Sequence, residues 1–266
     1  MRILWVIVAL LTAQTAAAGT RIETETRRLD IDNPRVERAV LRVEGDRMRL
    51  DPGGERASVI YRGDRDLAWL LNHRERSYLR VNRGTTAAIA NGRERTNAVL
   101  RDGIAGLSPE RRATLERLLD STLGPVSTGP PVTSRSTGRR DSIQGVRCEE
   151  LDIYRGEQRF ARICSADYVA AGLPPGTRAA FRDLAGFLRE SVSAVAPNAY
   201  RQQGLEALDC FDQIQGFPLR VRAAVDGVPP SETVVTKIAA EPIDPGLFEL
   251  PVGYSADLTL GHLESR

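Results

Sequence analysis

The chain has 266 residues and a formal net charge of +2, from 37 basic and 35 acidic side chains. Arginine alternates with aspartate and glutamate along the sequence, and aromatic residues make up only 5% of it. A nucleic-acid-binding protein concentrates positive charge on one face or stripe, so we expect no nucleic-acid partner. The length suits one large β-rich domain better than two ordinary ones.

Residues 1–18 have the pattern of a cleavable signal peptide. Met1 and Arg2 precede an apolar run over residues 3–11, and three alanines stand just before Gly19. Secretory signals have this form, and the run is much shorter than the roughly 20 residues that cross a bilayer. We therefore predict that residues 1–18 are removed and that residues 19–266 form a single domain in the periplasm. The mature chain is predicted to have no transmembrane segment.

The first part of the mature chain predicts strands. Residues 20–29 alternate in polarity and predict a strand along a sheet edge, while residues 37–82 alternate with a period of two over several short runs. Strands joined by such tight turns must be antiparallel neighbours, since a parallel crossover needs about a dozen residues or more. Within this meander, Arg62-Gly63-Asp64 spells an integrin-type tripeptide, which we interpret as a hairpin turn.

Two amphipathic helices are predicted after the meander. A serine–proline pair starts the first at residues 108–109, and Gly124 ends it. The second runs from Thr177 to about residue 196 and places Phe181 on its apolar side. Neither helix could bury its apolar stripe alone, so each is expected to cover the sheet. Residues 84–106 have weak periodicity and give no assignment.

Three cysteines in an exported chain suggest one disulfide and one odd thiol. Cys148 and Cys164 flank a predicted hairpin over residues 151–163, which makes them the first pair to consider. A two-residue turn at Arg155-Gly156 puts these cysteines out of register, whereas a three-residue loop places them opposite each other. Pairing with Cys210 is the alternative.

The last third of the chain returns to strands. Residues 219–223 alternate in polarity, Asp226-Gly227 is a strong hairpin signal, and residues 233–239 are predicted to pair back. The segment around Phe248 is predicted to be a tail that places one aromatic side chain in the body of the protein.

Several short motifs, in their order and spacing, resemble an uncharacterised family of exported bacterial proteins that is itself similar to the lipoprotein-carrier fold of LolA and LolB. The motifs are Tyr61-Arg62-Gly63-Asp64 followed by a strand and Tyr78, Ile143-Gln144-Gly145 before Cys148, Gly216-Phe217-Pro218, and Phe248-Glu249-Leu250-Pro251 with Gly253-Tyr254. The resemblance implies an α+β, β-rich fold, in which a curved antiparallel half-barrel sheet carries two amphipathic helices on its concave side. It also implies a periplasmic location and a groove able to hold an acyl chain.

The chain departs from that resemblance in two ways. No cysteine stands directly after the predicted cleavage site, where lipid would be attached, which argues against an outer-membrane-anchored acceptor of the LolB kind. The arginines that a lipoprotein carrier uses match no motif in this sequence. The resemblance therefore does not imply that this protein transports lipoproteins.

We predict a ligand groove lined by apolar side chains from the meander and from both helices, with the disulfide pair as a separate structural feature. The groove residues are Trp69, Tyr78, Leu118, Leu119, Phe181 and Phe187. The simpler alternative is that these side chains form an ordinary core between the sheet and the helices.

Three functions follow from these alternatives. The first is a periplasmic protein that binds an apolar, lipid-like ligand, and the second is a structural envelope protein that binds a protein partner. The third is a hydrolase, although His73 and His262, the only histidines, have no catalytic motif around them. Neither a cofactor nor a metal is expected, because the cysteines lack Cys-x-x-Cys spacing and glycine-rich phosphate loops are absent from the sequence.

Overall fold

The computed structural model describes residues 19–54, 56–122, 132–195, 214–224 and 229–256. Within these residues, twelve strands form one sheet: β1 (Gly19–Arg28), β2 (Glu37–Glu44), β3 (Arg47–Pro52), β4 (Ala57–Arg62), β5 (Leu67–Asn72), β6 (Ser77–Asn82), β7 (Val132–Ile143), β8 (Val146–Arg155), β9 (Gln158–Ala166), β10 (Phe217–Ala223), β11 (Ser231–Glu241) and β12 (Ser255–Ala256). The helices of the same residues are α1 (Arg83–Ala105), α2 (Pro109–Thr122) and α3 (Thr177–Val195).

The strands form an open, curved sheet in the order β12-β6-β5-β4-β3-β2-β1-β11-β10-β9-β8-β7. Neighbouring strands are antiparallel except β12, which is parallel to β6. The β-rich, antiparallel prediction is therefore confirmed. The prediction that β1 lies at a sheet edge is wrong, because β1 is hydrogen-bonded to β2 on one side and to β11 on the other.

The strand register places the side chains of the sheet on two distinct faces. We call the face that packs against α3 the helix face and the opposite one the outer face. On the helix face, the rings of Tyr61 and Phe187 have centroids 5.1 Å apart. On the outer face, Ile60 and Trp69 pack against residues 243–254. Because successive side chains of a strand point to opposite faces, β4 and β5 contribute to both layers.

The helices differ from the prediction in number and in packing. α3 buries an apolar side that includes Phe181 and Phe187, as expected. α2, however, has no buried residue among its described side chains, and it packs against α1. α1 was not predicted, because its polar sequence carries little helical periodicity. It is held by tertiary packing on α3, where Thr86 and Ser191 are both buried with hydroxyls 3.4 Å apart.

Residues 243–254 cross the outer face of β3–β6, and we call this segment the strap. Its 3-10 turn, Pro245–Phe248, leaves Phe248 0% exposed, which confirms the prediction of one inserted aromatic side chain. Arg62 of β4 donates to the Phe248 carbonyl over 3.3 Å and to the Glu249 carboxylate. Arg49 of β3 donates to the Leu247 carbonyl over 3.1 Å. The strap is therefore fixed by an apolar anchor and by arginines of the sheet.

The β8–β9 hairpin has neither of the two registers considered from sequence. Its turn lies at residues 156–157, and a bulge gives β9 one extra residue opposite the step between Ile153 and Tyr154. Cys164 consequently faces Glu150, two residues from Cys148 on the same side of β8. Cys148 and Cys164 are joined diagonally in a disulfide, with Cα atoms 5.3 Å apart.

Candidate functional site

A row of aliphatic side chains crosses the helix face from β11 to β6. Each member lies directly opposite the next in the strand register. The members are Ile238, Ile22, Leu41, Leu50, Val59, Leu70 and Leu79, and we call them the aliphatic row. Because the register slips nowhere between β1 and β6, five neighbouring pairings keep these side chains on one face.

The aliphatic row is incompletely covered, in contrast to the row beside it. Ile22 is buried, but the other members are half-buried, and Leu50 is 37% exposed. The neighbouring row on the same face is buried throughout, and it consists of Val43, Met48, Tyr61, Ala68 and Val81. Six inter-strand spacings of about 4.8 Å give the aliphatic row a length of roughly 29 Å. The row is therefore longer than one acyl chain. Two acyl chains, one from each leaflet, together span the hydrocarbon core of a bilayer, which is about 30 Å thick.

A cleft of about 390 Å³ opens beside this row, where the β2–β3 turn approaches the start of α3. Its lining includes Thr20 of β1, Asp46 of the turn, and Thr177 and Asp183 of α3. Thr20 lies opposite Val43, and the next pair on the same face is Ile22 with Leu41 of the row. The cleft and the aliphatic row are therefore about 7 Å apart along the strands.

Asp183 joins α3 to the sheet at the edge of this cleft. Its carboxylate accepts a hydrogen bond from the Tyr61 hydroxyl and another from Arg83 over 3.2 Å. Burial and the hydrogen bond to Asp183 raise the pKa of Tyr61 far above its usual value, so the phenol remains a donor. Arg83 also pairs with Asp66 and Glu190, which connects α1 to the β4–β5 turn.

The predicted groove residues do not share one surface. Phe181 and Phe187 belong to the core cluster of the helix face, whereas Trp69 and Tyr78 belong to the cluster under the strap. The side chains of Leu118 and Leu119 lie outside the described part of the chain. The sequence could not separate the two faces here because β5 is apolar on both sides.

His73 belongs to a chain of hydrogen bonds on the outer face. Its Nε2 lies 2.7 Å from the Ser58 hydroxyl, which is 2.6 Å from the Asp51 carboxylate, and its Nδ1 lies 2.5 Å from the Tyr254 hydroxyl. Because a carboxylate only accepts, the Ser58 hydroxyl donates its proton to Asp51, which leaves the Ser58 oxygen to accept a hydrogen bond from His73 Nε2.

This arrangement is the reverse of a nucleophile and its general base, since His73 does not take the Ser58 proton. Ser58 is also only 2% exposed, so a substrate could not reach it. The geometry therefore does not support the hydrolase hypothesis at Ser58 and His73. His262, like Cys210, lies outside the described residues.

The aliphatic row itself was missed by sequence reasoning. The signal was present, because Leu41 and Leu50 each stand on an alternating strand. Recognising the row requires the strands to be placed in register, which turn lengths alone leave ambiguous. No helix within the described ranges is both long and apolar enough to cross a membrane.

Comparison with known proteins gives distant structural similarities. No protein-family model and no curated protein matches the chain. Similar solved structures include an uncharacterized conserved protein from Thermus thermophilus, with a TM-score of 0.44 and 7% identity over 91% of this chain and 90% of that one. The MucA/MucB complex of Pseudomonas aeruginosa has a TM-score of 0.33 and 13% identity, covering 87% of this chain and 56% of that one.

A DUF1329 family protein from Desulfovibrio piger has a TM-score of 0.29 and 11% identity, covering 89% of this chain and 91% of that one. At TM-scores this low, the similarities assign neither a fold family nor a function.

Proposed function

We propose that this protein is an exported, periplasmic, non-catalytic protein of the LolA-like type that holds an apolar, lipid-like ligand along the aliphatic row. The observation that carries the proposal is the row itself, which offers seven aliphatic side chains in register with most of them incompletely covered. An incompletely covered apolar strip on the packed side of a sheet exposes apolar surface to water, and a bound hydrocarbon chain would remove that surface from water.

The signal-like residues 1–18 and the disulfide support the periplasmic location, because disulfides persist in oxidising compartments. Cell fractionation of the full chain tests this part. We expect a periplasmic protein whose mass corresponds to loss of the first 18 residues; an unprocessed cytosolic protein would refute it.

Binding of the neutral fluorescent probe N-phenyl-1-naphthylamine, displaced by dodecanol, tests the ligand. The variant Leu50→Gln places an amide in the middle of the row, and we expect about a tenfold weaker affinity, since burying a leucine contributes about 1.5–3 kcal/mol. Leu29→Gln is the matched control, because Leu29 is exposed on the β1–β2 connection, away from the row. Equal affinity in both variants, or no binding to the wild type, would contradict the proposal.

A partner-binding envelope protein is the second candidate, and strand β7 favours it. Within the described residues β7 is one of the two edge strands of the sheet, with β12 at the other edge, and most of the side chains of β7 are exposed. Its bulge between Ser136 and Arg140, with Gly138 at φ 73°, twists the strand and disfavours addition of another one. The ligand-binding function therefore remains the better supported one.

A further inference from the structure

On the outer face, two exposed arginines surround one buried acid. Glu232 of β11 has a side chain only 3% exposed, and its carboxylate accepts from Arg222 of β10 over 2.6 Å and from Arg27 of β1 over 2.9 Å. The side chains of Arg222 and Arg27 are 46% and 56% exposed. This group therefore presents two positive charges to water and keeps its negative charge inside.

The same arrangement recurs two strands away. Asp152 of β8 is largely buried and pairs with Arg162 over 2.7 Å and with Arg159 over 3.5 Å, and the side chain of Arg159 is half-exposed. Arg162 lies directly opposite Arg222 in the strand register. We call Arg27, Arg159, Arg162 and Arg222 the arginine patch. Four arginines against the two buried acids leave a charge of +2 on this surface.

Other acids flank the patch on the outer face, and they too are bound to arginines. Glu25 accepts from Arg38 over 2.9 Å, while Asp141 and Glu150 accept from Arg220 over 2.7 Å and 2.9 Å. Three acids and two arginines reduce the positive charge by one and do not reverse it. The face therefore remains positive.

The patch ends beside exposed aliphatic side chains. The Leu29 N–H donates to the Pro230 carbonyl over 2.8 Å, which continues the pairing of β1 with the β11 side. Leu29 therefore points to the same face as Arg27, two residues before it. Leu29, Ile31 and Val36, all in the β1–β2 connection, are each almost half exposed.

The layout of these groups fits an extended anionic surface. Three strand spacings of about 4.8 Å separate β9 from β1, so the patch is about 14 Å wide and its charges do not converge in a pocket. Guanidinium groups bind phosphate strongly. Among the described residues, none of the large exposed apolar side chains lies on β8, β9, β10 or β11. A protein interface is usually centred on such side chains, which disfavours an acidic protein as the partner.

We propose that the arginine patch and the β1–β2 connection dock the protein on an anionic lipid bilayer. The arginines face the headgroup phosphates, and Leu29 with its aliphatic neighbours enters the boundary between headgroups and acyl chains. This docking goes beyond the proposed function, because the patch and the aliphatic row lie on opposite faces of the sheet.

Flotation with vesicles tests the docking. The full chain is mixed with vesicles of phosphatidylcholine alone or of phosphatidylcholine and phosphatidylglycerol in equal parts. We expect the protein to float with the anionic vesicles and not with the neutral ones, and this binding to decrease at high salt. Every variant carries the same residues 1–18, so differences between variants report on the remainder of the chain.

The principal variant combines Arg27→Gln with Arg159→Gln, because each buried acid then keeps its second arginine. We expect about 25-fold weaker binding to the anionic vesicles, since each arginine near such a surface contributes about fivefold. The matched control combines Arg111→Gln with Arg178→Gln, which removes the same charge from exposed sites on α2 and α3. It should bind like the wild type.

Leu29→Gln tests the aliphatic contribution without a change of charge. We expect about fivefold weaker vesicle binding, because a half-exposed leucine would lose its insertion into the bilayer. Val252→Gln, at a fully exposed site of the strap, should have no effect.

The outcomes separate docking from ligand binding. Equal flotation with both kinds of vesicle, no flotation with either, or equal losses in the two double variants would refute the docking. Binding to soluble polyglutamate but not to vesicles would assign the patch to an acidic protein and also refute it. The affinity for N-phenyl-1-naphthylamine should be the same in the wild type and in the Arg27/Arg159 variant, so the proposed function stands or falls separately.

Discussion

The outer face of the sheet has two halves that are shielded from water in different ways. Across β3–β6 this face is apolar, and the strap covers it with Phe248 and neighbouring side chains. Across β8, β9, β10, β11 and β1 the same face carries a ladder of charges and has no comparable anchor among the described residues. The ladder consists of Asp152, Arg162, Arg222, Glu232 and Arg27, each directly opposite the next.

The ladder shows why one half of a sheet face needs a covering segment and the other half does not. Arg162 donates to Asp152 over 2.7 Å and 3.1 Å, while Arg222 and Arg27 donate to Glu232 over 2.6 Å and 2.9 Å. The arginine stems shield the strands, and their guanidinium groups satisfy acids that are themselves largely buried. Apolar side chains cannot form such ion pairs, so the apolar half of the face is covered by the strap instead.

The largest effect is expected from removing the apolar anchor of the strap. Phe248→Ala should reduce the free energy of unfolding by about 3–5 kcal/mol, because it empties a fully buried aromatic site. Denaturant unfolding followed by circular dichroism measures it. Val252→Ala is the control in the same segment, since Val252 is fully exposed and should change stability by less than about 0.5 kcal/mol. Similar losses in both variants would mean that the strap does not act through Phe248.

Arg62→Met tests the polar fastening of the strap, with an expected loss of about 2 kcal/mol in the free energy of unfolding. Arg62 is buried and binds Asp64, Glu249 and the Phe248 carbonyl, so its removal breaks several bonds together. Arg65→Met removes an exposed partner of the same Glu249, and we expect a loss below about 0.5 kcal/mol. An Arg62 variant as stable as the Arg65 variant would show that the buried guanidinium adds nothing.

The smallest effect is expected in the ladder and depends on pH. Hydrogen bonds from Arg162, with the charges of Arg162 and Arg159, hold the pKa of Asp152 below its usual value of about 3.9. A depressed carboxyl pKa contributes stability that is fully present above the unfolded-state pKa and is lost as the pH falls through the folded-state pKa.

Asp152→Asn should therefore cost about 1 kcal/mol at pH 7, and this difference from the wild type should shrink once the pH drops below about 4. Urea unfolding at a series of pH values between neutral and about 3 provides the measurement. A difference that does not vary with pH would mean that Asp152 contributes through packing and not through its charge.

The sequence was sufficient for features that depend on neighbouring residues. The meander from β2 to β6 follows from short alternating runs and tight turns, and α3 follows from its apolar stripe around Phe181. The pairing of β10 with β11 was expected from the alternation on both sides of the turn signal. Each of these depends on local periodicity, which the backbone geometry translates directly into structure.

Features that depend on residues distant in sequence, or on strands that are apolar on both faces, could not be predicted. β5 is apolar on both sides, so alternation could not say that Trp69 lies under the strap while Leu70 lies in the aliphatic row. The bulge in β9 shifts the hairpin register by one residue, and its sequence gives no sign of it. Asp46 and Asp183 line one cleft because the start of α3 lies beside the β2–β3 turn, which only tertiary packing determines.

The central position of β1 has a consequence for the order in which the molecule is assembled. Gly19 lies opposite Glu241, so β1 gains its second neighbour only after almost the whole described chain is present. Pairing across such a separation is slow, because the intervening loop must close before the contact stabilises anything. Until then one side of β1 is an open edge able to join a strand of another unfinished copy. We therefore expect β1 to be most prone to mispairing during the interval before β11 is made.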